Sequence, residues 1–325
     1  MRVLLIDVDS RLPNLALMKI AAHHRAAGDT VGFNVADPDR VYASVIFKKN
    51  KHLTDSYEHF HPGAEVLVGG SGTQEWAKVL PPEIEDLMPD YSLYDGRMCV
   101  KCGMKAEHCH CRTKRPTIGD MDYSMGSTTR GCIRRCYFCW VHRKEGEMRP
   151  WHEPAAFHPP GFKACKLLDN NWYADRERFF QTSKWFVDRK VKMDVTQGMD
   201  IRLIDDEIAA RLKLLRWGAI MHFAFDDEKY TQEVLDGIEI LQRAGINTKN
   251  NTYFFVYCHD DAHYESALAR CQLLKEHKTS AFVMFNCDKE ATGRIKHLQR
   301  WANRPQLFWT KDINEVTYDR RKWDH

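Results

Sequence analysis

At 325 residues the chain is longer than one compact domain needs, so a large core with a smaller attached module is expected. Hydrophobic residues at 43% and charged residues at 29% exclude a disordered or collagen-like chain. The formal net charge of +3 does not by itself imply a polyanionic partner, which leaves that question to local clusters. The opening MRVLLIDVDS has one basic residue and a short apolar run before Asp7, the pattern of a buried strand and not of a secretory segment. No stretch has the length of a membrane span, and no membrane association is expected. Eleven cysteines without a leader point to a reducing compartment, the cytoplasm, where clustered thiols serve metal or redox chemistry.

In chain order, Val3 to Asp7 reads as a strand, Asn14 to Ala27 as a helix closed by Gly28, and Val31 to Val35, Val41 to Phe47 and Ala64 to Val68 as further strands. Residues 1–95 are therefore expected to form a small Rossmann-like α/β domain. Its last strand runs into Gly69, Gly70, Ser71 and Gly72, a glycine-rich turn where such sheets often bind ligands, although G-x-G-x-x-G spacing is missing. Residues 96–116 follow as a polar knuckle with Cys99, Cys102, Cys109 and Cys111 in C-x2-C-x6-C-x-C spacing and Gly103 for a tight turn. Four thiolates would close a tetrahedral zinc shell, and so small a segment gains folding energy from metal. His108 and His110 are alternative ligands, and a second iron-sulfur cluster is the rival occupant.

Residues 117–325 alternate strands and helices. Strands are expected near 123–128, 166–169, 193–196, 220–225, 252–257 and 281–285, with helices near 139–146, 175–190, 205–216, 230–244, 261–276 and 290–302. Six successive β/α units imply right-handed crossovers and an all-parallel sheet, an open partial barrel with its functional residues at the carboxyl ends of the strands. At the first such end stand Thr128, Thr129, Arg130 and Gly131, then Cys132, Cys136 and Cys139 in C-x3-C-x2-C spacing. A cubane normally takes four thiolates, so three leave one iron open to a reactant. A zinc site completed by His142 is the competing reading.

This loop, with Phe138 before its last cysteine, resembles that of the radical S-adenosylmethionine (SAM) superfamily, and the resemblance covers residues 117 to about 290. It implies a partial (βα)6 barrel and a 4Fe-4S cluster on Cys132, Cys136 and Cys139, whose open iron chelates the methionine end of SAM. Reductive cleavage of SAM then yields a 5′-deoxyadenosyl radical that abstracts hydrogen from a substrate. Asp169 and Asn170 stand where the family places acceptors for the methionine ammonium, though its G-G-E-like segment is absent. Gln197, Gly198, Met199, Asp200, Ile201 and Arg202 resemble a Q-G-x-D-x-R segment, in which Arg202 would pair with the SAM carboxylate. An internal salt bridge to Asp200 or Asp226 is the alternative role for Arg202. Asp226 and Asp227 are expected near the ribose and Tyr257 near the adenine, with helix capping and core packing as the competing readings. Cys165, Cys258, Cys271 and Cys287 are expected to be buried free thiols.

The N-terminal unit looks like the cobalamin-binding domain that precedes many radical SAM cores, but it lacks a D-x-H-x-x-G segment. A degenerate domain is expected, and cobalamin is not. Around the cluster loop Arg130, Arg134, Arg135, Arg143, Lys144 and Arg149 interleave with Tyr137, Trp140 and Trp151, and Arg320, Arg321 and Lys322 add charge at the tail. Such a rim suits a nucleic acid with an exposed base, or an acidic flavodoxin- or ferredoxin-type reductant. The N-terminal unit, LLDNN and QGMDIR together resemble bacteriophage-encoded radical SAM proteins, some of which rearrange side chains on hypermodified thymine in DNA. The expected function is thus a radical SAM enzyme that modifies a nucleobase on nucleic acid. A cobalamin-dependent radical SAM methyltransferase and a non-catalytic metal-binding adaptor are the alternatives.

Overall fold

The computed structural model describes residues 1–75, 79–109, 111, 117–285 and 290–317. Two compact units emerge, one of residues 1–127, 143–145 and 152–165 and the other of residues 128–142, 146–151 and those from 166 onward. Cys287, His110 and the Arg320–Lys322 tail lie outside the described residues. Among the described residues no helix is long and apolar enough to cross a membrane.

The first unit opens with β1 (Arg2–Asp7), α1 (Leu15–Ala26), β2 (Thr30–Gly32), β3 (Arg40–Ser44) and β4 (Glu65–Gly69), a parallel sheet in the order β2-β1-β3-β4. The apolar run of β1 and the Leu17, Met18, Ile20 and Ala21 face of α1 are buried in its core. Asn14 caps the helix by accepting from the Leu17 amide at 3.2 Å. The second strand stops at Gly32, three residues short of expectation. Beyond it the chain turns through Asp37, held at φ 46°, so that Asp39 can take the Arg2 amide at 2.7 Å. The glycines after β4 have a packing cause: a Cβ on Gly70 would overlap the Val45 carbonyl, and one on Gly72 would meet the Phe47 backbone at 2.9 Å.

Further along come β5 (Met98–Cys99), β6 (Ile118–Gly119), β7 (Tyr123–Gly126), β8 (Thr129–Arg130), β9 (Arg149–Pro150), β10 (Ala164–Leu167), β11 (Lys192–Val195), β12 (Arg216–Trp217), β13 (Met221–Ala224), β14 (Thr252–Cys258) and β15 (Ser280–Phe285). The longer helices between and after them are α2 (Arg176–Asp188), α3 (Asp206–Leu214), α4 (Thr231–Arg243), α5 (Tyr264–Glu276) and α6 (Gly293–Ala302). In the second unit β13, β14 and β15 are parallel neighbours in that order, and β12 runs parallel to β11. Met199, just past β11, bridges to Phe223 of β13. The fold is thus mixed α/β with parallel sheets.

Two short antiparallel pairs, β5 with β6 and β8 with β9, depart from the all-parallel expectation. Each closes a cysteine-bearing loop. The helix expected over 139–146 is a single turn, Val141–Lys144, because Gly146 at φ 77° sends the chain back toward β9. The other helices bury one stripe each, as Val234, Gly237, Ile238 and Leu241 do on α4. Gly237 is needed there, since a Cβ would meet the Ile201 carbonyl at 2.9 Å.

Candidate functional site

The cysteine loop of the second unit begins at Thr128, and a single buried carboxylate fixes its start. Asp169, fully buried after β10, accepts from the amide and hydroxyl of Thr128 at 2.8 and 2.7 Å and from those of Thr129 at 2.7 and 2.6 Å. A carboxylate has about four acceptor positions, so this one is filled within the protein. Burial pushes its pKa up, while the hydrogen bonds from Thr129 and Thr128 oppose the rise. Gly131 follows at φ 78°, where a side chain would overlap the Glu147 carbonyl, so only glycine lets β8 and β9 close beneath the loop. The Trp151 amide then donates to the Thr128 carbonyl at 2.8 Å, and the buried Arg178 guanidinium reaches the same carbonyl at 3.2 Å.

Cys132, Cys136 and Cys139 are each half-buried. The Arg134 amide points at the Cys132 sulfur, 3.4 Å away, and the Cys139 amide closes a turn onto the Cys136 carbonyl at 3.0 Å. Burial raises the Cys132 and Cys136 thiols above their usual range, so both would need a cation to stay ionised. A cavity of about 250 Å³ is lined by Cys132, Arg135, His142, Gly146 and Glu147. His142 brings to it a buried Nδ1 with no hydrogen-bond partner among the described residues.

Asp200 ties this loop to the segment after β11. It accepts from Arg134 Nε at 2.7 Å and from Arg202 Nε and Nη2 at 2.6 and 2.9 Å, and its amide donates to Asn171 Oδ1 at 3.2 Å. Burial alone would raise the Asp200 pKa, but Arg202 and Arg134 outweigh it and hold the carboxyl below its usual range. The internal salt bridge weighed for Arg202 therefore exists, with the guanidinium also stacked 4.0 Å over Tyr230. Asn170 reaches the Gly131 carbonyl at 3.4 Å, and Gln197 is exposed.

At the ends of β13 and β14, Asp226 accepts from the Tyr257 amide at 3.2 Å, and burial pushes its pKa up to about 6 against the pull of Arg270. Arg270, buried on α5, donates to the carbonyls of Phe225 at 2.6 Å and Tyr257 at 3.0 Å. Phe138 of the cysteine loop stacks on Tyr257 with ring centroids 4.1 Å apart. Asp227 caps the turn after β13, accepting from the Lys229 amide at 3.1 Å.

In the first unit the four knuckle cysteines converge, their sulfurs all within 4.8 Å of one another. His108 lies 3.6 Å from Glu107 and is not one of that group. Cys165, Cys258 and Cys271 are buried and form no disulfide among the described residues.

Compared with solved structures, the chain matches TsrM, a radical SAM methyltransferase from Kitasatospora setae determined with cobalamin and a [4Fe-4S] cluster bound, at a TM-score of 0.58. The two chains share a fold. The match covers 87% of this chain and 74% of that one at 12% sequence identity, so the likeness lies in the course of the backbone. No family model matches this chain, and no curated protein matches its sequence.

The residues present fit a cluster on the Cys132–Cys139 loop. Three half-buried thiols sit on a glycine-hinged loop, and Cys132 lines a cavity there. Among the described residues the group convergent enough for one ion is the four knuckle cysteines; Cys132, Cys136 and Cys139, with or without His142, do not form such a group. Three contributors escaped the sequence reading: Arg134 as the partner of Asp200, Arg178 behind Thr128, and Arg270 across two strand ends. Only the place of Arg134 within the C-x3-C spacing hinted at its part.

Proposed function

We propose that the chain is a radical SAM enzyme: residues 117–325 a partial (βα)6 barrel, residues 1–95 a degenerate cobalamin-binding-type domain and residues 96–116 a metal knuckle between them. The observation that carries this reading is the C-x3-C-x2-C loop, fastened at Thr128 and Thr129 by Asp169 and at Arg134 by Asp200. The fold shared with TsrM supports it. When bound, a 4Fe-4S cluster with SAM on its open iron supplies reductive cleavage of the sulfonium bond and a 5′-deoxyadenosyl radical.

The protein's own residues would divide the remaining work. Cys132, Cys136 and Cys139 hold three irons. Asp169 is committed to the loop, so Asn170 and nearby carbonyls are left to accept the methionine ammonium. Arg202 spends two of its five donors on Asp200, which orients the others for the methionine carboxylate. The Phe138–Tyr257 stack offers a face for adenine, and Asp226 an acceptor for the ribose hydroxyls. Gln197 is exposed and free to meet the substrate side.

The substrate class we favour is a nucleobase carried on nucleic acid. Arg130 and Arg149 lie 5.8 and 5.0 Å over the Trp151 ring, Tyr137 and Trp140 are exposed on the cysteine loop, and the exposed Arg135 pairs with Glu147 at 3.1 Å. Cations for phosphates beside aromatic faces suit an unstacked base, and a flavodoxin- or ferredoxin-type reductant would use the same rim. A second reading is a cobalamin-assisted methyltransferase; the neighbour of similar fold was determined with cobalamin bound. Tight stoichiometric cobalamin binding would place that reading first. The test of the main proposal is anaerobic reconstitution with iron and sulfide, followed by SAM and a reductant. Release of 5′-deoxyadenosine is expected, and a reducible cluster that never cleaves SAM would contradict it.

A further inference from the structure

We propose that Cys99, Cys102, Cys109 and Cys111 hold a single tetrahedral zinc ion, and that this ion fixes Lys105 in the wall of a cavity at the carboxyl end of β1. The sulfur separations distinguish one ion from a cluster. Cys99 and Cys109 stand 3.2 Å apart, Cys102 and Cys109 3.7 Å, and Cys99 and Cys111 4.0 Å. Four thiolates about 2.3 Å from one zinc have a tetrahedral edge of about 3.8 Å. A 4Fe-4S cluster puts each thiolate on a different iron and so holds its ligands farther apart.

The local backbone is built for thiolates. Gly103, at φ 65°, lets the chain turn after Cys102, and its amide donates to the Cys99 carbonyl at 2.8 Å. The amides of Lys101 and Cys102 point at the Cys99 sulfur, and that of Cys111 reaches the Cys109 sulfur at 3.3 Å. These N–H groups offset thiolate charge. With four sulfurs in the shell and His108 turned to Glu107, no coordination position stays open. Such a closed site is structural.

The loop between Cys102 and Cys109 is what the ion would hold. Lys105 at its tip donates its amide to the Arg11 carbonyl at 3.1 Å. Its ammonium, buried with a side-chain exposure of 6%, lies 3.0 Å from Asp7 and 3.1 Å from Glu107. Tyr94 donates to the same Asp7 carboxylate at 2.7 Å, and Tyr123 holds the loop from the other side through the Gly103 carbonyl at 2.6 Å. Lys105, Glu107, Asp7, Phe33 and Arg97 line the cavity, whose volume is about 330 Å³. Without the ion, four crowded thiols would have to spread, the loop would open, and the buried Lys105–Asp7 pair would be exposed.

The test uses the full chain with Cys132, Cys136 and Cys139 all replaced by Ala, purified without oxygen, so its outcome does not depend on the cluster reading. Elemental analysis should find about one zinc and no iron, and adding Cys109→Ala should abolish the zinc. Removing zinc with a chelator should raise amine-reagent labelling of Lys105, read by peptide mass spectrometry, about tenfold or more, and added zinc should reverse it. About four irons on this variant, or no metal, would overturn the zinc assignment. Unchanged Lys105 labelling after full zinc removal would overturn the latch. If the triple variant fails to fold, Co2+ added to chelated wild-type chain should give the thiolate charge-transfer and ligand-field bands of a tetrahedral four-sulfur site, and their absence would count against the assignment.

Discussion

Asp169 is the most demanding test of how the cysteine loop is held. Its Oδ1 accepts three hydrogen bonds, from the Thr128 hydroxyl and from the amide and hydroxyl of Thr129, whereas Oδ2 accepts one, from the Thr128 amide. Asp169→Asn can keep its oxygen at the three-bond position and turn its NH2 toward the Thr128 amide. The Thr128 amide then loses its acceptor and faces the NH2, itself a buried donor, and each such unsatisfied group costs about 1–3 kcal/mol. Asp169→Ala strands both amides and both hydroxyls. The hydroxyls can rotate to other acceptors but the amides cannot, and loss of the buried network is expected to cost about 3–5 kcal/mol. Urea unfolding of the wild type and both variants should rank Ala below Asn below wild type. Iron bound after anaerobic reconstitution should fall in the same order, because Thr128 and Thr129 lead directly into Gly131 and Cys132. An Ala variant as stable as the Asn variant, or one with full iron, would refute the idea that this carboxylate fastens the loop.

Three further predictions follow from the same unit. Burial lifts the Asp226 pKa to about 6, above an unfolded value near 4, so the folded state binds a proton that the unfolded chain lacks. Stability should therefore fall as pH rises from about 4 to about 6 and level off above, by up to about 3 kcal/mol, with Asp226→Asn flattening that part of the curve. An unaltered pH profile of Tm in that variant would contradict the assignment. Gly131→Ala places a side chain at φ 78° against the Glu147 carbonyl and should cost about 1–2 kcal/mol from conformation alone, with lower iron incorporation. Wild-type iron content would show the loop to be more forgiving than drawn. Finally, single-stranded DNA should bind at low salt, lose affinity steeply as salt rises, and bind more weakly to an Arg130→Ala, Arg149→Ala variant. No binding of DNA or RNA at low salt would remove the nucleic-acid reading.

The parallel strands and the helices beside them were legible because apolar runs alternate with amphipathic stretches bounded by Asp, Asn and Gly. Asp175 and Asp205 do cap α2 and α3, accepting from the amides of Arg178 at 3.1 Å and Ile208 at 2.9 Å. Cysteine spacing likewise marked the knuckle thiols, whose sulfurs converge. What spacing could not reveal was pairing across the chain. Asp169 looked like a free acceptor after a strand, and only the fold brings Thr128 and Thr129, some forty residues earlier, onto it. The same holds for Arg134 with Asp200 and for Arg270 with the carbonyls of Phe225 and Tyr257. Strands as short as β8 and β9 have no periodicity to read. The glycine run after β4 read as a ligand turn, yet its glycines answer to the Val45 and Phe47 backbone.

The central claim is that Cys132, Cys136 and Cys139 carry a cluster that cleaves SAM. Its most direct test is 5′-deoxyadenosine, quantified by mass spectrometry after anaerobic incubation of reconstituted protein with SAM and reductant, for the wild type beside the variant with all three cysteines replaced by Ala. The wild type should bind about four irons at this loop and form 5′-deoxyadenosine, and the variant should do neither while keeping its knuckle zinc. Equal 5′-deoxyadenosine from the two proteins, or none from an iron-loaded and reducible wild type, would contradict the account.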